Sequence, residues 1–366
     1  EYGYYGRVVT ITIPRHQTIV RKIMEKYERG KRAEAINELV YNLRDEDFRV
    51  RAACAEVLGN IGDLGTIKPL IELLNDEYSE VRLAAVQALG KIGDARAVES
   101  LEGLLNDEDS EVRLATVKAL SRIGGERVIR PLIKALDDSD SRVQTTAIES
   151  LGRMGSKAVD PLLSTLESED VNIRAYSAKA LGEIGDPRAV EALVALVDDP
   201  NDIVRVNAVE ALGRIDDPRV EEPLIRALKD RKPEVRINAV KALKLARSEE
   251  ATQQLIEALK DPDSRVRMWS ADALGYRGSS LAMYPLLELL GDEDPRVREN
   301  AVKALGRTGD YEAVKPLMEL LRDKSERIRE FADKSIAMIA KKYGLTKDEL
   351  IRRQKALLEE EKESKF

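Results

Sequence analysis

The dipeptide Val-Arg returns at a near-constant step along the chain, and this periodicity restricts the fold more than any other feature. It stands at Val50-Arg51, Val81-Arg82, Val112-Arg113, Val204-Arg205, Val235-Arg236, Val266-Arg267 and Val297-Arg298, with the variants Val143-Gln144, Ile173-Arg174 and Ile328-Arg329. The step is 31 residues throughout, except for one interval of 30. Ten units at a fixed step make this a repeat protein, whose units bury their apolar faces only against one another. The 366 residues therefore predict one long stack rather than two or three globular domains.

A single unit, "TIKPLIELLNDEYSEVRLAAVQALGKIGD" at residues 66 to 94, carries two apolar runs at helical spacing. Ile67, Leu70, Ile71, Leu73 and Leu74 form the first, and Val81, Ala85, Val86, Ala88, Leu89 and Ile92 the second. The "GD" or "GDP" that follows, as in Gly185-Asp186-Pro187, supplies a helix-ending glycine, an N-capping aspartate and a proline suited to the first helical position. Each unit reads as an αα-hairpin with a first (A) and a second (B) helix. A further proline at Pro69, Pro131, Pro161, Pro223, Pro285 and Pro316 is expected to bend the A helix. Stacking such hairpins with a small constant rotation predicts an all-α solenoid, a curved right-handed superhelix.

An aspartate precedes the arginine by six residues in nine units: Asp45, Asp76, Asp107, Asp138, Asp199, Asp230, Asp261, Asp292 and Asp323. So many identical pairs are not catalytic. The aspartate is expected to accept backbone N–H bonds at the turn between the helices, and the arginine to reach along the stack to a turn carboxylate or carbonyl. Gln144 and Ser168 break the pattern and predict a weaker ladder around repeats four and five.

The single cysteine, Cys54, excludes a disulfide framework and a multi-cysteine zinc site. No signal sequence or apolar run of transmembrane length is present, so a cytoplasmic location and no membrane contact are expected. With a formal net charge of -7 the chain is no polycation, and any nucleic-acid binding must come from a local patch. Abundant Glu, Lys and Arg beside few Cys and Met is the balance of a thermostable protein.

Proline in the A helix, aspartate at the turn, Val-Arg opening the B helix and "ALG.IGD" closing it resemble HEAT repeats, in particular the short HEAT-like type named after phycobilisome (PBS) lyases. The resemblance implies a flexible binding scaffold whose B helices line the concave face. With Val81, Ala85, Leu89 and Ile92 directed inward, helical geometry points the equivalents of positions 80, 84, 87 and 91 outward. The column of position 84 reads Ala53, Ala84, Ala115, Thr146, Tyr176, Asn207, Asn238, Trp269, Asn300 and Phe331. Trp269, the only tryptophan, thus occupies a surface column, with Asp272 and Tyr276 on the same face. Two roles are open to it: a partner anchor, or sideways packing against the neighbouring repeat. The same columns of the last three repeats contain Arg265, Arg296, Lys303, Arg307, Arg327 and Lys334 against the one acid Asp272. A basic C-terminal surface with interleaved aromatics is expected, suited to an acidic protein segment, a phosphate-bearing ligand or a nucleic-acid backbone.

The chain is expected to divide into an extended segment and capping helix at 1–32, a solenoid at 33–341 and a charged amphipathic helix at 342–366. Residues 1–14 alternate as a strand does, and Thr346 and Glu349 match a capping box before the apolar stripe of Leu350, Ile351, Leu357 and Leu358. The leading function is a non-enzymatic scaffold that binds another protein, without a cofactor. One histidine, His16, is too few for the di-iron site of HEAT-like hydroxylases. HEAT-like alkylpurine DNA glycosylases hold a lesion with tryptophans and a carboxylate, which Trp269 and Asp272 match only loosely, and nothing in the chain identifies the bilin site of a lyase.

Overall fold

The structure is a computed structural model that describes residues 14–246 and 248–363. The strand expected at 1–14 lies outside these residues apart from Pro14. The described residues are helical, with no strand among them, and each repeat is an αα-hairpin. This is an α-solenoid, as the period of 31 predicts. Among the described residues, no helix is long and apolar enough to cross a membrane.

Two compact units divide within the helix Val171–Ile184: Glu1–Ala180 and Leu181–Phe366. In the first, the helix Arg15–Glu28 precedes the hairpins of repeats one to four and buries Ile23 completely. In the second, repeats six to ten are followed by the helix Lys347–Glu363. The capping box forms there: the Thr346 N–H donates to Glu349 Oε2 at 2.8 Å, and the Glu349 N–H to Thr346 Oγ1 at 3.3 Å. Leu350 is fully buried, whereas Leu357 remains exposed.

The B helices follow the sequence closely. Ser79–Ile92 buries Val81, Ala85, Val86 and Leu89, and ends on Gly93 at φ +74°. Asp94 then accepts the Arg96 N–H at 2.8 Å. The A helices differ from expectation. Instead of one bent helix, repeat two has a 3-10 turn at Leu64–Thr66, a short α segment at Ile67–Glu72 and a second 3-10 turn at Leu73–Asn75. Repeat three, with Ser100 where other repeats have proline, splits in the same way, around Val98–Gly103. Proline is therefore not the cause of the split. The entry turn forms on Asp63 in repeat two and equally on Gly125, without a side-chain cap, in repeat four, and the exit aspartate follows the second turn in an extended conformation.

Between hairpins the Arg-Asp ladder forms as expected. Arg51 Nε donates to Asp76 Oδ2 at 2.8 Å and Nη2 to Oδ1 at 2.9 Å, while Nη1 donates to the Asp45 carbonyl at 2.8 Å. The same two-pronged bond joins Arg82 to Asp107 and Arg113 to Asp138 in the first unit, and Arg205 to Asp230, Arg236 to Asp261 and Arg267 to Asp292 in the second. Gln144 keeps only the bond to the carbonyl of its own turn, Asp138, at 2.7 Å. Asp45 has no earlier repeat to supply its arginine, and Arg15 of the capping helix takes that place with bonds of 2.8 and 2.9 Å. A Cβ on Gly275 would lie 2.6 Å from Ala304 Cα, so the glycine of "ALG" is where consecutive B helices touch.

Candidate binding surface

Repeat seven lacks both features that close most of the B helices. At the contact-glycine position it has Lys244, where repeats three and ten have Ser121 and Ala337, and no glycine follows the helix in "ALKLARSEE". The helix Pro233–Leu243 consequently stops without a left-handed glycine, and its last carbonyls need another donor. Arg277 of repeat eight supplies it. Its guanidinium donates to the carbonyls of Leu243, Ala246 and Ser248 and to Thr252 Oγ1, the last at 2.7 Å.

Above this junction lies the helix Ser264–Arg277, with Trp269, Asp272 and Tyr276 spaced for one face. Trp269 is half-buried, and Lys241 Nζ lies 4.3 Å from its ring centroid. Tyr276 is 58% exposed, with Lys244 Nζ at 4.6 Å from its ring. Asp272 accepts from Lys244 Nζ and from Arg307 Nη1, both at 2.9 Å. Burial works to raise the Asp272 carboxyl, but the two cations outweigh it and hold the group below the ordinary aspartate range. Leu245, at the position equivalent to Tyr276 in repeat seven, is 68% exposed. Two aromatic rings, an exposed leucine, three cations and one carboxylate thus share a surface made by repeats seven to nine. Trp269 lies in the surface column, and of the two roles left open for it the structure shows sideways packing, with Lys241 of repeat seven over its ring.

The other residues singled out from the sequence fall into four groups. Phe331 repeats the Trp269 arrangement, with Lys303 Nζ 3.9 Å from its ring centroid. Asn207 is buried and bonds the Ile203 carbonyl of its own helix at 2.8 Å, Asn300 bonds the Arg296 carbonyl in the same way, and Asn238 is half-buried. Tyr176, half-buried, belongs to the first unit. The basic residues are all engaged. Arg265 pairs with Asp263 and Glu234, Arg296 with Asp294, Arg327 with Glu299, and Lys334 with Glu330, at 2.5 to 3.1 Å. The charge excess expected from the columns is therefore offset by acids in neighbouring registers.

In the first unit, the alanines of the position-84 column leave room for a trough. A cavity of about 320 Å³ runs between the B helices of repeats two and three, lined by Leu83, Gln87, Leu114, Ala115, Lys118 and Arg122 among others. Lys118 and Arg122 are exposed there and make no ion pair among the described residues. No cluster of metal ligands occurs among the described residues.

Comparison with known proteins agrees with this architecture. The family described as HEAT repeats matches in six overlapping stretches, residues 22–79, 36–121, 67–152, 129–205, 194–275 and 252–337. A comparison with curated proteins finds no match. Among solved structures, yeast importin-beta (Kap95p) is 18% identical with a TM-score of 0.58, over 85% of this chain and 52% of that one. Kap121p bound to Pho4p is 16% identical with a TM-score of 0.59, over 84% of this chain and 41% of that one. An engineered protein is 25% identical over 83% of this chain and 98% of that one, with a TM-score of 0.42. The chain spans about half the length of the importin-type chains, and at these identities the likeness concerns the fold. With a repeat-family match running from residue 22 to residue 337 over the hairpins described above, the chain belongs to the HEAT-repeat family.

Proposed function

We propose that the chain is a non-enzymatic binding scaffold of the short HEAT-like type, which holds an acidic segment of another protein against the B helices of repeats seven to nine. One observation carries this reading: Trp269 and Tyr276 share a helix face with lysines and an arginine drawn from both flanking repeats. Aromatic rings in partly desolvated settings are the side chains that most often dominate binding energy, and surrounding cations set approach and orientation. A carboxylate side chain of the partner would meet Lys241, Lys244 and Arg307, and an apolar one would meet Tyr276 and Leu245. Phe331 with Lys303 extends the same chemistry toward repeat ten. The Kap121p solenoid, of similar fold, is known in complex with a protein, Pho4p, which supports a protein rather than a small molecule as the partner.

A nucleic-acid backbone fits this surface less well. It would have to displace Asp263, Asp294, Glu299 and Glu330 from the arginines and lysine that they already engage.

The test is a titration of dye-labelled peptides, acidic-aromatic, basic and scrambled, beside a single-stranded oligonucleotide of equal charge. The acidic-aromatic peptide should bind, and Trp269→Ala should weaken it by about ten-fold or more. Oligonucleotide binding that falls steeply with salt and ignores Trp269→Ala would refute the reading.

A further inference from the structure

Lys244 and Arg307 come from repeats on opposite sides of the helix that carries Asp272, and both point their donors at its carboxylate, at 2.9 Å each. The other ion pairs of this surface hold cations at its margins, through acids outside the four surface columns or, for Glu234, in repeat seven. Asp272 alone is an acid within these columns in repeats eight to ten, and it stands between Trp269 one turn before it and Tyr276 one turn after. Its side chain is only 20% exposed, so its charge is compensated by the two cations more than by water. The group it presents to them is the same group that an acidic partner would offer.

We propose that Asp272 is a resident stand-in for the partner's carboxylate. It keeps Lys244 and Arg307 in anion-binding positions in the free protein, and it must release one or both when an acidic segment arrives. A segment with too few carboxylates cannot displace it, so Asp272 sets the charge threshold for binding. This inference rests on the acidic-segment reading above, but it has a consequence that needs no partner: removing the charge of Asp272 should open a small-anion site.

Sulfate is the probe, and the intensity of Trp269 emission is the readout. Asp272→Asn should bind sulfate about ten-fold more tightly than the wild type, and the gain should vanish when Lys244→Gln and Arg307→Gln are added. Unchanged or weaker sulfate binding by D272N overturns the proposal, as does a gain that survives loss of both cations. Should D272N not fold, the wild type gives the answer through carbon NMR of the Asp272 carboxyl: saturating sulfate should shift its titration midpoint upward, and an unmoved midpoint overturns the proposal. Acidic peptides that bind wild type and D272N equally would remove the threshold and leave the scaffold reading intact. A sulfate gain without any peptide binding would leave Asp272 as the occupant of an anion site and remove both the acidic-segment reading and the threshold.

Discussion

Arg267 grips Asp292 of the next repeat with two parallel bonds, Nε to Oδ2 at 2.7 Å and Nη2 to Oδ1 at 2.9 Å. Its remaining nitrogen, Nη1, donates to the carbonyl of Asp261 at 2.9 Å. With side-chain exposures of 11% and 7%, the pair is shielded enough that losing one partner leaves the other stranded. Arg267→Ala should cost about 3 kcal/mol in urea unfolding. Arg298 donates only to carbonyls of its own turn, Asp292 and Glu293, and forms no ion pair with Asp323. Its replacement by alanine should cost about 1 kcal/mol, and equal losses at the two sites would contradict the ladder as a bond between repeats.

Gly275→Ala would press a Cβ to 2.6 Å from backbone and 2.7 Å from side chain of Ala304. The two B helices must then separate, at a cost of about 1 to 3 kcal/mol. Gly278→Ala meets nothing within 4 Å and faces only its φ of +64°, so about 1 kcal/mol is expected. Denaturant melts of the two variants should fall in that order.

Lys241 covers one face of the Trp269 ring. Lys241→Ala should move the emission of this lone tryptophan to longer wavelength and raise its quenching by acrylamide. An unchanged spectrum would mean that the ring is shielded by repeat eight alone.

Arg277 closes the end of the preceding B helix through the carbonyls of Leu243, Ala246 and Ser248. Arg277→Met keeps most of the volume and removes the donors, so about 2 kcal/mol of stability should be lost. Amide exchange should rise at residues 240 to 246 before it rises elsewhere in repeat seven.

Acid should loosen the turns in a defined range. Asp94, Asp140 and Asp217 each accept bonds from an arginine two residues on, first through its side chain and then through its N–H, which pulls their carboxyls down to about 2. A group lowered in the folded state stabilises it above its unfolded value, about 3.9, and loses that contribution as pH falls toward the folded value. Stability measured between pH 5 and pH 2 should therefore decline mainly below about pH 4.

The fold was legible because a repeat states its own answer many times over. The period and the capping "GD" each have one structural solution, and the structure has it, while the Arg-Asp columns pair across repeats at Arg51, Arg82, Arg113, Arg205, Arg236 and Arg267 but not at Arg298. The split A helices were not legible from proline, because the same split forms where Ser100 stands in its place. Trp269, Asp272 and Tyr276 were legible as one face of one helix. Their cations were less so: Lys241 lay in a surface column of a repeat left out of the charge count, and Lys244 stood in the glycine column, outside the surface columns altogether. The one signal for it was the missing "G.IGD" in "ALKLARS". The charge count also overstated the basic surface, since partners such as Asp263 and Glu299 lie in other registers and become neighbours only when helices stack. The trough beside Lys118 and Arg122 was not legible, because it is made where small side chains such as Ala115 leave space between stacked helices.

The omission of the arginine at Gln144 and of the aspartate at Ser168 bears on how the protein comes apart. In a structure where each element is coupled only to its nearest neighbours, cooperativity extends as far as the weakest coupling and no further. Unfolding that starts at one end should stall at repeats four and five, leaving a half-melted species with one block of hairpins intact. Heating or a protease would then reveal two transitions in a chain whose sequence repeats a single theme.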